Sequence, residues 1–182
     1  MVELRTERLV LRHARSADVR AFHDILSDPA ATAFWSTPPH TTLEQTEAWL
    51  AGMMSIDPSE GEDFVIERDG RVIGKAGLYR FPEIGYILHP SAWRQGYARE
   101  ALTAVVERAF AVHRLPTIEA DVDPRNVASL RLLTGLGFEE ISRASRTWNI
   151  GGAWCDSVYL RLLNTNTSVR GTEVRRHQPP GR

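Results

Sequence analysis

A chain of 182 residues, 42% apolar and 25% charged, can build one domain with a true core but is cramped for two. Its formal net charge of −1 provides no field that draws nucleic acid or anionic lipid, which favours a small, mobile partner. The single cysteine excludes an internal disulfide and a thiolate metal cluster, and the six histidines contain no His-Glu-x-x-His run, so no metal is expected. No stretch approaches the roughly 18 apolar residues of a membrane span, and Met1-Val2-Glu3-Leu4-Arg5 lacks a signal-peptide core. The expectation is a cytoplasmic protein with no membrane partner.

In chain order, Leu9-Val10-Leu11 between Arg8 and Arg12 reads as a first strand. Ser16 is the predicted N-cap of a helix with Val19, Phe22, Ile25 and Leu26 on one face, stopped by Asp28-Pro29. Thr41-x-x-Glu44 has the spacing of a capping box for a second helix through Leu43, Thr46, Trp49 and Leu50. Phe64-Val65-Ile66-Glu67, the Asp69-Gly70 turn and the run 72–79 form a hairpin, because Asp-Gly supplies the positive φ angles of a tight primed turn. Glu83-Ile84-Gly85-Tyr86-Ile87-Leu88 is a further strand closed by His89-Pro90. A long helix is predicted over 97–113, since Ala98, Ala101, Leu102, Val105, Val106, Ala109 and Phe110 repeat at i, i+3, i+4.

Residues 117–122 alternate as a strand, and 126–136 form a short helix with Leu130 and Leu133 inward and Gly137 as its stop. Two closing strands, 138–150 and 154–163, meet at Gly151-Gly152. Residues 1–163 are therefore read as one α+β domain (mixed α/β) around a central sheet of about seven strands. From 164 to 182 the chain is polar with no apolar period, and a disordered tail is expected there.

One crossover is rich in chemistry. Trp93-Arg94-Gln95-Gly96-Tyr97-Ala98 opens the long helix, where backbone N–H groups lack intrahelical partners and the helix dipole favours an anion. Gly96 permits close approach, Ala98 leaves room, and Arg94 and Arg99 add positive charge. On spacing alone, a phosphate cradle and an ordinary helix start with a turn glycine both stand.

The run from Glu83 through Pro90 followed by Trp93-Arg94-Gln95-Gly96-Tyr97-Ala98-Arg99-Glu100-Ala101-Leu102 resembles the acetyl-CoA motif of the GNAT acetyltransferases, in their RimJ/RimL-like branch. The resemblance extends over about residues 3–163. It includes Thr6-Glu7-Arg8-Leu9-Val10-Leu11-Arg12, Asn126-x-x-Ser129-Leu130-Arg131 with Leu136-Gly137-Phe138, and Gly152-x-Trp154-x-Asp156-Ser157. It implies a GNAT fold with a mostly antiparallel twisted sheet and acetyl-CoA as co-substrate. It also implies pyrophosphate contacts from the turn, at Arg94, Gln95, Gly96, Tyr97, Ala98 and Arg99, and pantetheine contacts along Ile87 and Leu88. Trp93 stands where the wider superfamily has Gln or Arg, and Arg94 where glycine is frequent; neither change removes the backbone donors.

Acetyl transfer to an amine needs a neutral nitrogen, a polarised carbonyl and a proton for the leaving thiolate. The resemblance suggests Glu83 as the base, against its plain reading as a solvated residue at a strand start. It suggests Asn126 on the cofactor and Ser129 as proton donor, against a simple helix cap with an exposed neighbour. Many superfamily members carry a tyrosine acid four residues before the Gly-Phe pair; here that position is Leu133, so Ser129, a water or release of free thiolate must serve. Trp35, Tyr86, His89 and Trp154 are candidates for the acceptor pocket, and each aromatic suits the core equally. Cys155 reads as a small packed side chain rather than a nucleophile.

The leading expectation is direct, ternary-complex transfer to a primary amine of a small molecule, antibiotic or peptide N-terminus, by a monomer or homodimer. The alternative is a non-catalytic acyl-CoA sensor with the same fold. Nucleotide binding at the Gly96 turn has no Walker lysine or dinucleotide glycine set behind it.

Overall fold

The computed structural model describes residues 2–165, and the tail expected to be disordered lies outside them from 166 onward. Asn164, which composition assigned to that tail, is tied down: its N–H donates to Pro116 O at 2.9 Å and its Nδ2 to Leu115 O at 3.1 Å.

Eight strands form one sheet: β1 (Glu3–Arg5), β2 (Val10–Arg12), β3 (Glu62–Arg68), β4 (Arg71–Arg80), β5 (Glu83–Leu88), β6 (Thr117–Val122), β7 (Glu139–Ile150) and β8 (Ala153–Leu163). Their order is β1-β2-β3-β4-β5-β6-β8-β7. The additional strand is β1; its three residues are too few to show a period of two. Four helices complete the fold: α1 (Val19–Leu26), α2 (Leu43–Met54), α3 (Tyr97–Ala111) and α4 (Val127–Gly135). The β3–β4 turn has φ of 49° at Asp69 and 75° at Gly70, with Arg68 paired to Arg71, as the sequence predicts.

Two helix starts differ from expectation. Ser16 begins a short 3-10 turn instead of capping a helix, because Asp18 accepts the Arg15 N–H at 2.8 Å and is itself held by Arg12. The capping box lies one residue further along, on Thr42 and Gln45, whose amide side chain reaches back to both Thr41 and Thr42.

The sheet separates two cores. On one side α3 and α4 bury Ala101, Leu102, Val105 and Leu133 against Phe64, Ile66, Ile84 and Ile118. On the other, α1 and α2 bury Phe22, Ile25, Leu26 and Leu50 against Val65 and Ile87. Side chains alternate along a strand, so Ile84, Tyr86 and Leu88 face α3 and α4, while Glu83, Gly85 and Ile87 face the α1 and α2 side.

The α1 and α2 layer contains one buried polar knot. Thr46 Oγ1 lies 2.9 Å from Nδ1 of both His23 and His40, so α1, α2 and the segment between them meet on a single hydroxyl. Burial, and secondarily the charge of His23, holds His40 below the ordinary imidazole range. The unfolded chain therefore takes up this proton first, and stability falls as pH drops below about 6.5. We expect the urea midpoint to decrease between about pH 7.5 and pH 5.5, and His40→Gln to flatten that slope. An unchanged slope in the variant would assign the pH dependence to other groups.

Candidate active site

The site begins where two strands stop pairing. β5 and β6 run parallel but share a single register pair, Glu83 with Glu119, supported by Glu119 N–H donating to Pro82 O at 3.0 Å. β5 stays on β4 as far as Leu88, and β6 stays on β8 as far as Val122, so a wedge opens between them past Glu83. His89 N–H donates to Ile73 O on the β4 side. Amide direction alternates along a strand, so the N–H groups of Tyr86 and Leu88 point into the wedge, and that of Ile87 points to β4. Of the two strand amides singled out from sequence, Leu88 is the one facing the opening.

At the end of β5 the chain turns into α3. His89 Nδ1 accepts the Ser91 N–H, and Trp93 Nε1 donates to Leu88 O at 2.9 Å. Arg94 and Gly96 both have positive φ, 59° and 83°. Gly96 is the N-cap of α3 and no side chain caps the helix, so the first-turn amides of Tyr97, Ala98 and Arg99 remain exposed donors. With the helix dipole behind them, they fit a pyrophosphate.

Side chains around this turn brace it and leave ligand contact to the backbone. Glu100 accepts from Thr6 Oγ1 (2.6 Å), the Arg8 N–H (2.8 Å) and Arg8 Nε (2.7 Å), while Arg8 Nη1 reaches Gln95 O at 3.0 Å. Gln95 Nε2 donates to Ser91 O. The Tyr97 ring is buried with the guanidinium groups of Arg8 and Arg68 at 4.6 and 4.8 Å from its centre. Only its amide is open to a ligand. Arg99 is turned to α4, donating to Gly135 O at 2.7 Å. Arg94 is exposed.

Across the wedge, Asn126 Oδ1 caps α4 by accepting the Ser129 N–H at 3.1 Å, and Ser129 Oγ lies 2.6 Å from the Tyr86 hydroxyl. Burial pushes the Tyr86 phenol up to about 12, although the Ser129 bond opposes the shift. Tyr86 thus holds its proton at every working pH. Leu133 is fully buried in the core, so its position contributes packing and no acid.

The α1 and α2 side of the wedge holds the carboxylates. Glu83 is bonded through one oxygen to the Tyr79 hydroxyl and through the other to Arg80. Burial, and then Glu83, pushes Tyr79 up to about 12. Glu119 accepts from Arg161, and Asp121 from Trp148 Nε1 at 2.8 Å. Lys75 and Asp63 form an ion pair, with Trp35 and Tyr79 over the ammonium.

The four aromatic candidates separate. Trp35 lies on the α1 and α2 core beside Lys75. Tyr86 faces α4. Trp154 is 51% exposed at the tip of the β7–β8 hairpin with Arg146 over its ring, and a Cβ on Gly151 there would lie 3.4 Å from Pro38. His89 caps the short 3-10 turn that leads from β5 toward α3. Cys155 accepts from Arg125 at 3.3 Å and is partly buried. Sequence reading missed Asp63, Lys75, Tyr79 and Asp121; the available signal was Lys75, the one charge in the run 72–79.

Residues 8–139 match the family described as Acetyltransferase (GNAT) domain. The chain is 31% identical over 150 residues to the uncharacterised N-acetyltransferase p20 of Bacillus licheniformis, covering 77% of this chain and 84% of that protein. Among solved structures, it is similar to RimL, a ribosomal L7/L12 α-N-protein acetyltransferase in complex with coenzyme A. The TM-score is 0.79 at 18% identity, over 89% of this chain and 98% of that one. It is also similar to spermidine N-acetyltransferase from Vibrio cholerae in complex with CoA and spermine, with a TM-score of 0.75 at 21% identity, over 87% and 96% of the two chains.

The positive φ at Gly96 makes the turn sensitive to a single methyl group, and a Cβ there would lie 3.3 Å from Arg8 Nη2. Gly96→Ala is expected to cost about 1–2 kcal/mol, read as a lower urea midpoint at unchanged m-value. An unshifted midpoint would mean that the turn relaxes to another conformation.

Proposed function

The chain belongs to the GNAT acetyltransferase family, and on that premise we propose that it moves the acetyl group of acetyl-CoA directly to a primary amine in a ternary complex. The observation that carries the reading is the wedge past Glu83. It brings a carboxylate on one side and a hydroxyl pair on the other to the strand that ends at an uncapped helix start.

The backbone of the 94–99 turn would hold the pyrophosphate, and the wedge-facing amides of β5 the pantetheine. Bound acetyl-CoA supplies the thioester, an activated acyl group whose sulfur leaves as a thiolate. Of the wedge-facing amides, Tyr86 N–H lies nearer Glu83 and is the donor on this edge for an acyl oxygen, and its rigid strand costs no reorganisation at the moment of reaction. Trp93, bonded to Leu88 O, anchors the end of that strand.

Glu83 is the base. Both of its oxygens are engaged, so taking a proton from the amine requires the exposed Arg80 side chain to release one of them. Tyr79 then keeps the carboxylate oriented. Ser129 is the acid: with the Tyr86 phenol donating to Ser129 Oγ, the serine hydrogen is left to point toward the departing sulfur, and as it moves to the thiolate the phenol hydrogen follows onto Oγ and is restored from solvent. Tyr86 acts through Ser129 and is a positioning residue in this scheme.

The acceptor is a primary amine of a small molecule, an antibiotic or a peptide N-terminus. The two solved relatives, one named for spermidine and one for a ribosomal protein, span that range.

Coenzyme A release, followed with a thiol reagent across amines and peptides, tests the activity; tight acetyl-CoA binding without acceptor-dependent release would make the protein an acyl-CoA sensor. Ser129→Ala should lower kcat by about tenfold or more while leaving acetyl-CoA affinity unchanged. Tyr86→Phe should lower kcat similarly, and the double variant should lose no more than either single one, since both act through one hydrogen bond. Additive losses would separate the two residues. Glu83→Gln should lower kcat by about 100-fold or more while leaving acetyl-CoA affinity unchanged; retained turnover at saturating substrates would assign the base elsewhere.

A further inference from the structure

Lys75 leaves only 3% of its side chain exposed, as does its partner Asp63, and Nζ donates one hydrogen bond, 2.8 Å to Asp63 Oδ2. An ammonium carries three donors. Among the described residues the other two have no oxygen acceptor; Nζ instead lies 5.5 Å from the centre of the Trp35 ring and 5.9 Å from that of Tyr79. Trp35 Nε1 is a further buried donor without a partner. Buried donors left unmet are costly, and several of them on one wall call for an oxygen.

That wall adjoins the reaction centre. A Cβ on Gly85 would lie 3.6 Å from Lys75 Nζ and 3.6 Å from the Tyr79 ring. Gly85 is two residues from Glu83 on the same strand face, and its missing side chain opens the surface over the ammonium. Tyr79 joins the two points, its ring beside Lys75 and its hydroxyl on Glu83. An amine held at Glu83 with its chain laid along this face therefore carries a substituent on its second carbon toward Gly85.

The charge of the oxygen follows from the ion pair. Asp63 and Lys75 cancel, so a second carboxylate would add unbalanced negative charge to a dry site, whereas a hydroxyl or amide carbonyl fills the donors without that cost. Resting on the acetyl-transfer reading above, we propose that Lys75 determines specificity by binding a neutral oxygen on the second carbon from the reactive nitrogen. The preferred acceptors are then 1,2-amino alcohols and α-amino amides, ahead of plain alkylamines.

The test compares 2-aminoethanol, glycinamide, ethylamine and glycine as acceptors. The first two should exceed ethylamine in kcat/KM by about tenfold or more, and glycine should not. Asp63→Leu combined with Lys75→Met removes both charges together, so no lone buried ion is left to unfold the protein. In it the ratio of 2-aminoethanol to ethylamine should collapse to about one. The same amines, titrated into the wild-type protein with coenzyme A present and followed by ligand-observed NMR, report the preference without turnover. Preferred binding of the amino alcohol with no thiol release would sink the transfer reading and keep this one. Equal binding of 2-aminoethanol and ethylamine, a preference for glycine alone, or a ratio preserved in the double variant would each overturn it.

Discussion

Two parallel neighbours that pair at one residue and then part are the constraint on which the rest of this molecule depends. Parallel strands cannot be joined by a tight turn, so the chain leaves β5 through a helix and returns as β6. The single Glu83–Glu119 pair acts as a pivot. Beyond it, β5 presents N–H groups to open space, a condition that buried backbone avoids unless something else satisfies those donors. The same crossover puts the start of α3 at the far end of the same strand. Unpaired backbone donors therefore run from the wedge edge of β5 to the first turn of α3.

Keeping the wedge open requires its borders to be rigid, and polar clamps outside the site supply that rigidity. Glu100 gathers Thr6 and Arg8 against the first turn of α3, and Arg8 and Arg68 enclose Tyr97. At the other end of α3, Glu62 accepts from Arg108 and His113, whose hydrogen bonds outweigh the burial that would otherwise raise its pKa. Both ends of the crossover helix are thus tied to strands, and its start cannot drift away from β5.

On the α1 and α2 side of the wedge, four acids are each matched. Asp63 has Lys75, Glu83 has Arg80 and Tyr79, Glu119 has Arg161, and Asp121 has the Trp148 indole. A surface so balanced selects by shape and hydrogen bonding more than by net charge. Lys75 differs from the other cations in being buried, which raises the value of every partner it gains.

Local signals in the chain were sufficient wherever a residue answers to its neighbours. The Asp69-Gly70 turn, the buried face of α3, the Asn126 cap and the uncapped Gly96 start all depend on backbone geometry within a few residues, and all were legible before folding was considered. The capping box of α2 slipped by one because two threonines and two acceptors compete within five positions, and only side-chain reach separates them. Contacts distant in sequence were not legible. Tyr86 meets Ser129 across 43 residues, Arg99 turns to Gly135 across 36, and Thr6 reaches Glu100 across 94. By itself the sequence determined the helix start with free amides and the strand that leads to it, because each is a local object. That Tyr86 meets Ser129, and that Lys75 lies buried against Asp63 beside Gly85, was decided only by the tertiary structure, since strand pairing and the packing of α4 bring those side chains together.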